Sequence, residues 1–128
     1  MSAPRHDLIE RYLYAFDWDV ETIWTLELPV QERDLTALEW ILTAPVWSGA
    51  DGPYTVTPLE VLTAPDRHPG EFARMMAADT SYPIDITYHL DRWVILDGVH
   101  RLLKLHRAGA HTAQVRVVPE TCLCRIRK

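Results

Sequence analysis

The sequence predicts a mixed α/β (α+β) domain: a small mixed sheet flanked by helices, preceded by a helix-strand-helix extension. Three observations predict it. Residues 93 to 118 run from an apolar strand through an amphipathic helix into a second apolar strand. Residues 23 to 30 alternate apolar and polar side chains at the period of a half-buried strand. The chain has 128 residues, 48% of them hydrophobic, enough to bury one core, so residues 1–128 are read as a single domain.

Taken in order, Asp7 to Asp17 carries Leu8, Ile9, Tyr12, Leu13 and Phe16 at helical spacing, and Pro4 and Asp7 suit a helix start. From Ile23 to Val30, Trp24, Leu26, Leu28 and Val30 alternate with Thr25, Glu27 and Pro29, and Pro29 places this expected strand at an edge. Leu35, Leu38 and Leu42 return to helical spacing until Pro45 ends the run. Val46 to Pro53 (VWSGADGP) is turn chemistry and reads as a loop. Tyr54 to Thr57 is a short strand, Pro58 fits the first turn of a helix over Leu59 to Thr63, and PDRHPG is a loop before a helix over Glu71 to Ala78. Tyr82 to Tyr88 and Trp93 to Leu96 are strands joined through His89 to Arg92. Val99 to Ala108 is a helix closed by Gly109 at a left-handed cap, and Ala113 to Val118 is a strand, with a further short one expected at Cys124 to Ile126. The strand-helix-strand unit is expected to be a right-handed crossover or its mixed-sheet equivalent.

The most informative stretch is ILDGVHR, Ile95 to Arg101. An apolar strand runs into Asp-Gly and directly into a helix that opens with His and Arg. The first amides of a helix lack partners and its dipole favours an anion there, so this turn suits a phosphate. Gly98 lets the backbone approach closely, and Arg101 adds a planar fork of donors. The ligand is expected at the carboxyl end of the strand that ends in Leu96. The alternative for Asp97 is a helix cap, and for His100 an exposed first-turn histidine.

This element, with a PI-x-I strand before it (Pro83 to Ile86) and a Gly-ended helix after it, resembles the ParB/sulfiredoxin-like superfamily over about residues 54 to 119. The resemblance implies a compact ParB/sulfiredoxin-like core on which residues 1 to 50 pack as an extension. It also implies that Asp97, Gly98, His100 and Arg101 contact the phosphates of a nucleotide. Sulfiredoxins carry a catalytic Cys where this chain has Val99, so sulfinic acid reduction is not expected. The chain also lacks the Gly-Glu-Arg-Arg type box and the helix-turn-helix domain of the partitioning proteins. The free-serine kinases, with a DG-x-HR type element on a compact domain, are the nearest functional model. Their catalytic acid lies near the first helix, a place that Glu60 or Glu71 could fill.

Charge bounds the partners. The net charge of -5 argues against a general nucleic-acid binder, whose affinity comes from neutralising phosphates. From Arg101 onward there are seven Lys or Arg against Glu120 alone, whereas residues 1 to 100 carry six bases and seventeen acids. The positive potential is therefore expected around the anion site, suiting a small anion better than a duplex. No apolar run approaches a membrane span, and the opening MSAPRHDLIERY lacks the features of a secretion signal, so a cytoplasmic location is expected. Cys122 and Cys124, as C-x-C, read as two reduced thiols in or near the core.

The expected function is nucleotide binding, with ATP or another nucleoside triphosphate and Mg²⁺ as cofactors. The expected enzyme class is an ATP-dependent phosphotransferase, a kinase acting on a small polar molecule, or a nucleotidase. The catalytic candidates are Glu60, Glu71 and Asp97, and each glutamate is alternatively a first-turn acid answering the helix dipole. Lys104 shares a helix face with Arg101 but also reads as a solvated charge, His106 reads as a partly buried structural residue, and His68 is a weaker candidate of the same kind as the glutamates. Trp18, Trp24, Trp40 and Trp47 crowd the N-terminal part as core, pocket wall or interface patch. The rival functions are a non-enzymatic module that keeps the anion pocket and binds a partner protein or a second copy of itself, and a ParB-like nuclease disfavoured by the acidic balance.

Overall fold

The computed structural model describes residues 18–122. The expected helix Asp7 to Asp17 and the strand at Cys124 to Ile126 lie outside the described residues. Within them the chain is mixed α/β: helices α1 (Val20–Thr25), α2 (Pro58–Thr63), α3 (Pro69–Ala77) and α4 (Val99–Arg107), with strands β1 (Val30–Asp34), β2 (Trp47–Gly49), β3 (Gly52–Val56), β4 (Ile84–His89), β5 (Arg92–Asp97) and β6 (Thr112–Val117). Four strands form a mixed sheet of order β1-β6-β4-β5, in which only β6 and β4 are parallel.

β5 and β6 run antiparallel with β4 between them, so the link through α4 is the mixed-sheet form and the handedness rule for parallel crossovers does not govern it. The helical layer packs on one face, where Leu38, Met75, Ile84, Ile86, Leu102 and Leu103 are fully buried. On the other face a smaller cluster of Ile23, Leu96 and Val118 holds α1 against the sheet, with Cys122 packed beside it.

Two expectations change in the N-terminal half. The alternation from Ile23 to Val30 is not a strand: α1 ends at Thr25 and β1 begins only at Val30. Asp19 starts the helix by accepting from the Glu21 amide, and at its other end the Arg116 guanidinium donates to the carbonyls of Ile23 and Leu26. The run VWSGADGP is not an open loop either. It forms most of a β-ribbon in which Trp47 pairs with Val56 and Gly49 with Gly52, the latter at φ 120°. The Leu35, Leu38, Leu42 run folds as two 3₁₀ helices, Leu35–Ala37 and Glu39–Thr43, and stops at Ala44, which is extended because Pro45 follows.

Tryptophans from this half cover the open edge of the sheet. β5 is an edge strand, and the indole N–H groups of Trp40 and Trp18 donate to its carbonyls at Trp93 (2.8 Å) and Leu96 (2.9 Å), while Trp24 donates to the side chain of Asp97 (2.9 Å). Outward-facing carbonyls that would invite another strand are thereby occupied. At the opposite edge, the Arg33 guanidinium of β1 lies 4.7 Å from the Trp93 ring centroid, so side chains from the two edge strands meet.

The β4–β5 hairpin turns through Leu90 (φ 49°) and Asp91 (φ 69°), both left-handed. Two left-handed central residues define the type I′ turn, which Asn-Gly adopts most readily and a leucine adopts at a cost of about 1–3 kcal/mol. The double variant Leu90→Asn/Asp91→Gly should therefore raise the urea midpoint, by about 1 kcal/mol of stability, with the slope unchanged. A midpoint at or below that of the parent would show that the turn is not strained.

Candidate functional site

The site is assembled where β5 passes into α4. Ile86 pairs with Ile95, but Asp85 pairs with Asp97, so β5 carries one extra residue, Leu96, in a bulge. Side chains alternate along a strand, and the added residue turns Asp97 to the face that carries Asp85 instead of into the helical layer. Asp85 is in turn opposite Arg116 on β6, so Asp97, Asp85 and Arg116 form one charged row across three strands.

Gly98 follows as the N-cap of α4, at φ 118° and with no side chain capping the helix. A Cβ there would lie 3.1 Å from Ile84 and 3.2 Å from the Arg101 guanidinium carbon, so glycine is required by both conformation and space. Arg101 folds back over this turn and is 17% exposed. It donates to Asp97 Oδ2 at 3.0 Å and to the carbonyl of Pro83. These bonds use two of the five N–H groups of its fork.

One residue earlier, His100 is held from two sides. Its Nε2 lies 2.6 Å from Glu71 Oε2, and its ring stacks on Trp47 with centroids 4.5 Å apart and planes 17° apart. Glu71 also pairs with Arg74 at 3.2 Å. The ribbon β2–β3, expected as a loop, is what supplies Trp47.

A cleft of about 580 Å³ opens beside this corner, within the range of small-molecule sites. Gly98, His100 and Arg101 line it together with the charged row Asp85, Asp97 and Arg116, and Asp79, Tyr82 and Trp24 complete the lining. Asp85 is 3% exposed and bonded to the Arg116 Nε at 2.7 Å. Burial pushes its carboxyl above the usual aspartate range, and the Arg116 hydrogen bond and charge pull partly back. Asp79 is held below that range by hydrogen bonds from the Ser81 side chain and backbone.

Asp97, Gly98, His100 and Arg101 all line the cleft, and Glu71 reaches it through His100. Glu60 does not: its carboxylate closes a capping box with Thr57 at the start of α2 and lies 3.9 Å from His68. Lys104 donates to the carbonyls of Met76 and Ala78 and so finishes α3. The positive surplus expected at the corner is neutralised, because Arg101 sits on Asp97 and Arg116 on Asp85. Sequence reasoning missed Asp79, Tyr82, Asp85 and Arg116. For Asp85 the available signal was a carboxylate inside the apolar run Ile84 to Ile86, since a buried charge implies a buried partner.

The fold and this site define a mixed α/β domain with a small-molecule-sized cleft beside an uncapped helix start. Among the described residues no helix is long and apolar enough to cross a membrane, and no group of three or more His, Cys, Asp or Glu is arranged to hold a metal ion by itself. Comparison with protein-family models, with curated proteins and with solved structures finds no match to this chain.

Proposed function

We propose that this cleft receives the phosphate end of a nucleotide, ATP in the first instance, and that the protein transfers a phosphoryl group to a small polar molecule or to water. The observation that carries the reading is the cleft at the N-terminal end of α4, where an uncapped helix start, Gly98 and Arg101 meet. The DG-x-HR resemblance to the ParB/sulfiredoxin-like superfamily supports the same reading, as does the size of the cleft.

In this reading the phosphate oxygens accept from the first amides of α4 and from the N–H groups of Arg101 left over from Asp97 and Pro83. His100 handles the proton. Glu71 holds Nε2, which leaves Nδ1 as the basic nitrogen for the hydroxyl or water that attacks phosphorus. Glu71 is then a positioning residue, and Trp47 fixes the plane of the ring. The residues fit Mg²⁺ only as an ion that arrives on the phosphates, since such an ion needs one or two protein carboxylates, and Asp97 and Asp79 line the cleft. Bound there, it would neutralise charge on the phosphates.

Isothermal titration with ATP, ADP, CTP and pyrophosphate, each with Mg²⁺, tests the reading. Binding at millimolar or tighter affinity is expected, weakened at least about tenfold in Arg101→Ala through loss of a charge-assisted bond. Absence of binding to any of the four removes the proposal, and binding without turnover on product analysis would favour the non-enzymatic module instead.

A further inference from the structure

Two aromatic side chains on the cleft wall are left open in an unusual way. Trp24 is 61% exposed and Tyr82 is 65% exposed, although both line a concave site where apolar groups are ordinarily covered. The Trp24 ring is held in this position by its own side-chain hydrogen bond, and Tyr82 is anchored through its backbone.

Trp24 sits on the last turn of α1 between two fixed points. Ile23 before it is fully buried, and the carbonyls of Ile23 and Leu26 on either side are both held by Arg116. The polar edge of its indole is occupied as well, donating to Asp97 Oδ2. What remains available is the apolar face of the ring. The backbone around Tyr82 is held as well: its amide donates to the Asp79 carbonyl at 3.2 Å, Asp79 also ties down Ser81, and the carbonyl of Pro83 on its other side receives Arg101.

We infer that the outer part of the cleft is a stacking site for a flat aromatic ring, with Trp24 and Tyr82 as its platform and a nucleobase as the ring it takes. Stacking needs an exposed, oriented aromatic face and little else; Trp24 offers one held by Asp97, and the exposed ring of Tyr82 lines the same cleft. A flat ring bearing amino groups suits the surroundings further, because the carboxylates of Asp79 and Asp97 line the same cleft. The extension thus contributes recognition: Trp24 comes from outside the 54 to 119 stretch and is bolted to Asp97 at the phosphate corner.

The inference rests on the nucleotide reading for its choice of ring, and it is tested separately. Full-length protein is titrated with adenosine, which has the ring alone, with pyrophosphate, which has the phosphates alone, and with ATP, following tryptophan fluorescence and heat. Adenosine is expected to bind and to quench fluorescence. Trp24→Ala and Tyr82→Ala are each expected to weaken ATP and adenosine about ten- to hundredfold while leaving pyrophosphate within twofold, with Trp24→Phe retaining most of the affinity. Tyr82→Ala removes an exposed side chain, so its fold is expected to persist. If both alanine variants bind ATP like the parent, or adenosine fails to bind while pyrophosphate binds, the stacking site is wrong and the phosphate site stands. Adenosine bound normally alongside no pyrophosphate binding leaves the platform standing and removes the phosphate site. Failure of all three ligands overturns both.

Discussion

Arg116→Ala should be the most damaging single change at the cleft, lowering stability by about 3–5 kcal/mol in urea unfolding, a large share of the 5–15 kcal/mol typical of a domain. The guanidinium has three jobs. It neutralises buried Asp85 at 2.7 Å, and it satisfies the carbonyls of Ile23 and Leu26 at 2.9 and 2.8 Å. Its removal strands a carboxylate 3% exposed and frees the end of α1 from the sheet. Asp85→Ala/Arg116→Ala should recover part of the loss, because the stranded charge is gone while the Leu26 carbonyl has lost its guanidinium donor and the Ile23 carbonyl keeps only the Leu26 amide.

The pH dependence has a definite sign. Asp85 titrates above the ordinary aspartate range when folded, so across that window the native state holds more protons than the unfolded chain and this group's contribution to stability falls as pH rises. Arg116 works against the shift through its hydrogen bond and charge. Without it the window widens upward, and the gap between parent and Arg116→Ala should grow from pH 4 to pH 7. An equal gap at both would mean that Asp85 is not the group left uncompensated.

The second large effect is on turnover. His100→Ala should reduce phosphoryl transfer about 10²- to 10⁴-fold, the usual worth of a positioned proton-transfer group, with a much smaller change in nucleotide affinity. Glu71→Gln keeps a hydrogen-bond acceptor beside Nε2 but loses the charge, so a loss of roughly tenfold in kcat at an unchanged KM for ATP is expected. Glu60→Gln is the contrast. Its carboxylate belongs to the α2 capping box, so it should leave kcat within about twofold and cost about 0.5–1 kcal/mol of stability. Equal losses of turnover in the two glutamine variants would overturn the assignment of Glu71, and an active His100→Ala would remove the proton-transfer role.

The C-terminal half was the more legible. Strands at β4, β5 and β6, the helix α4 and its closure at Gly109 (φ 75°) follow from local pattern and turn chemistry, which need no distant partner. The N-terminal half misled because its decisive partners are remote. The alternation from Trp24 to Val30 is real, yet α1 runs to Thr25 and its end is held by Arg116, some ninety positions away, through the carbonyls of Ile23 and Leu26. Trp47 lay in a stretch of turn residues, and only pairing with Val56 brings it under the ring of His100.

By itself the sequence determined that Asp97-Gly98 would end a strand and open a helix, with His100 and Arg101 on the first turn, because caps and turns are set by neighbouring residues. It named Glu60 and Glu71 together through the resemblance, which puts a catalytic acid near the first helix, with a first-turn acid as the alternative for each. The tertiary structure separates them: α3 carries Glu71 to His100, whereas Glu60 turns back to its own cap. It likewise decided the charge of the corner, where a β-bulge and cross-strand register set Asp85 and Asp97 against Arg116 and Arg101. Electrostatic pairing depends on distance in space, and separation along the chain carries almost none of that information.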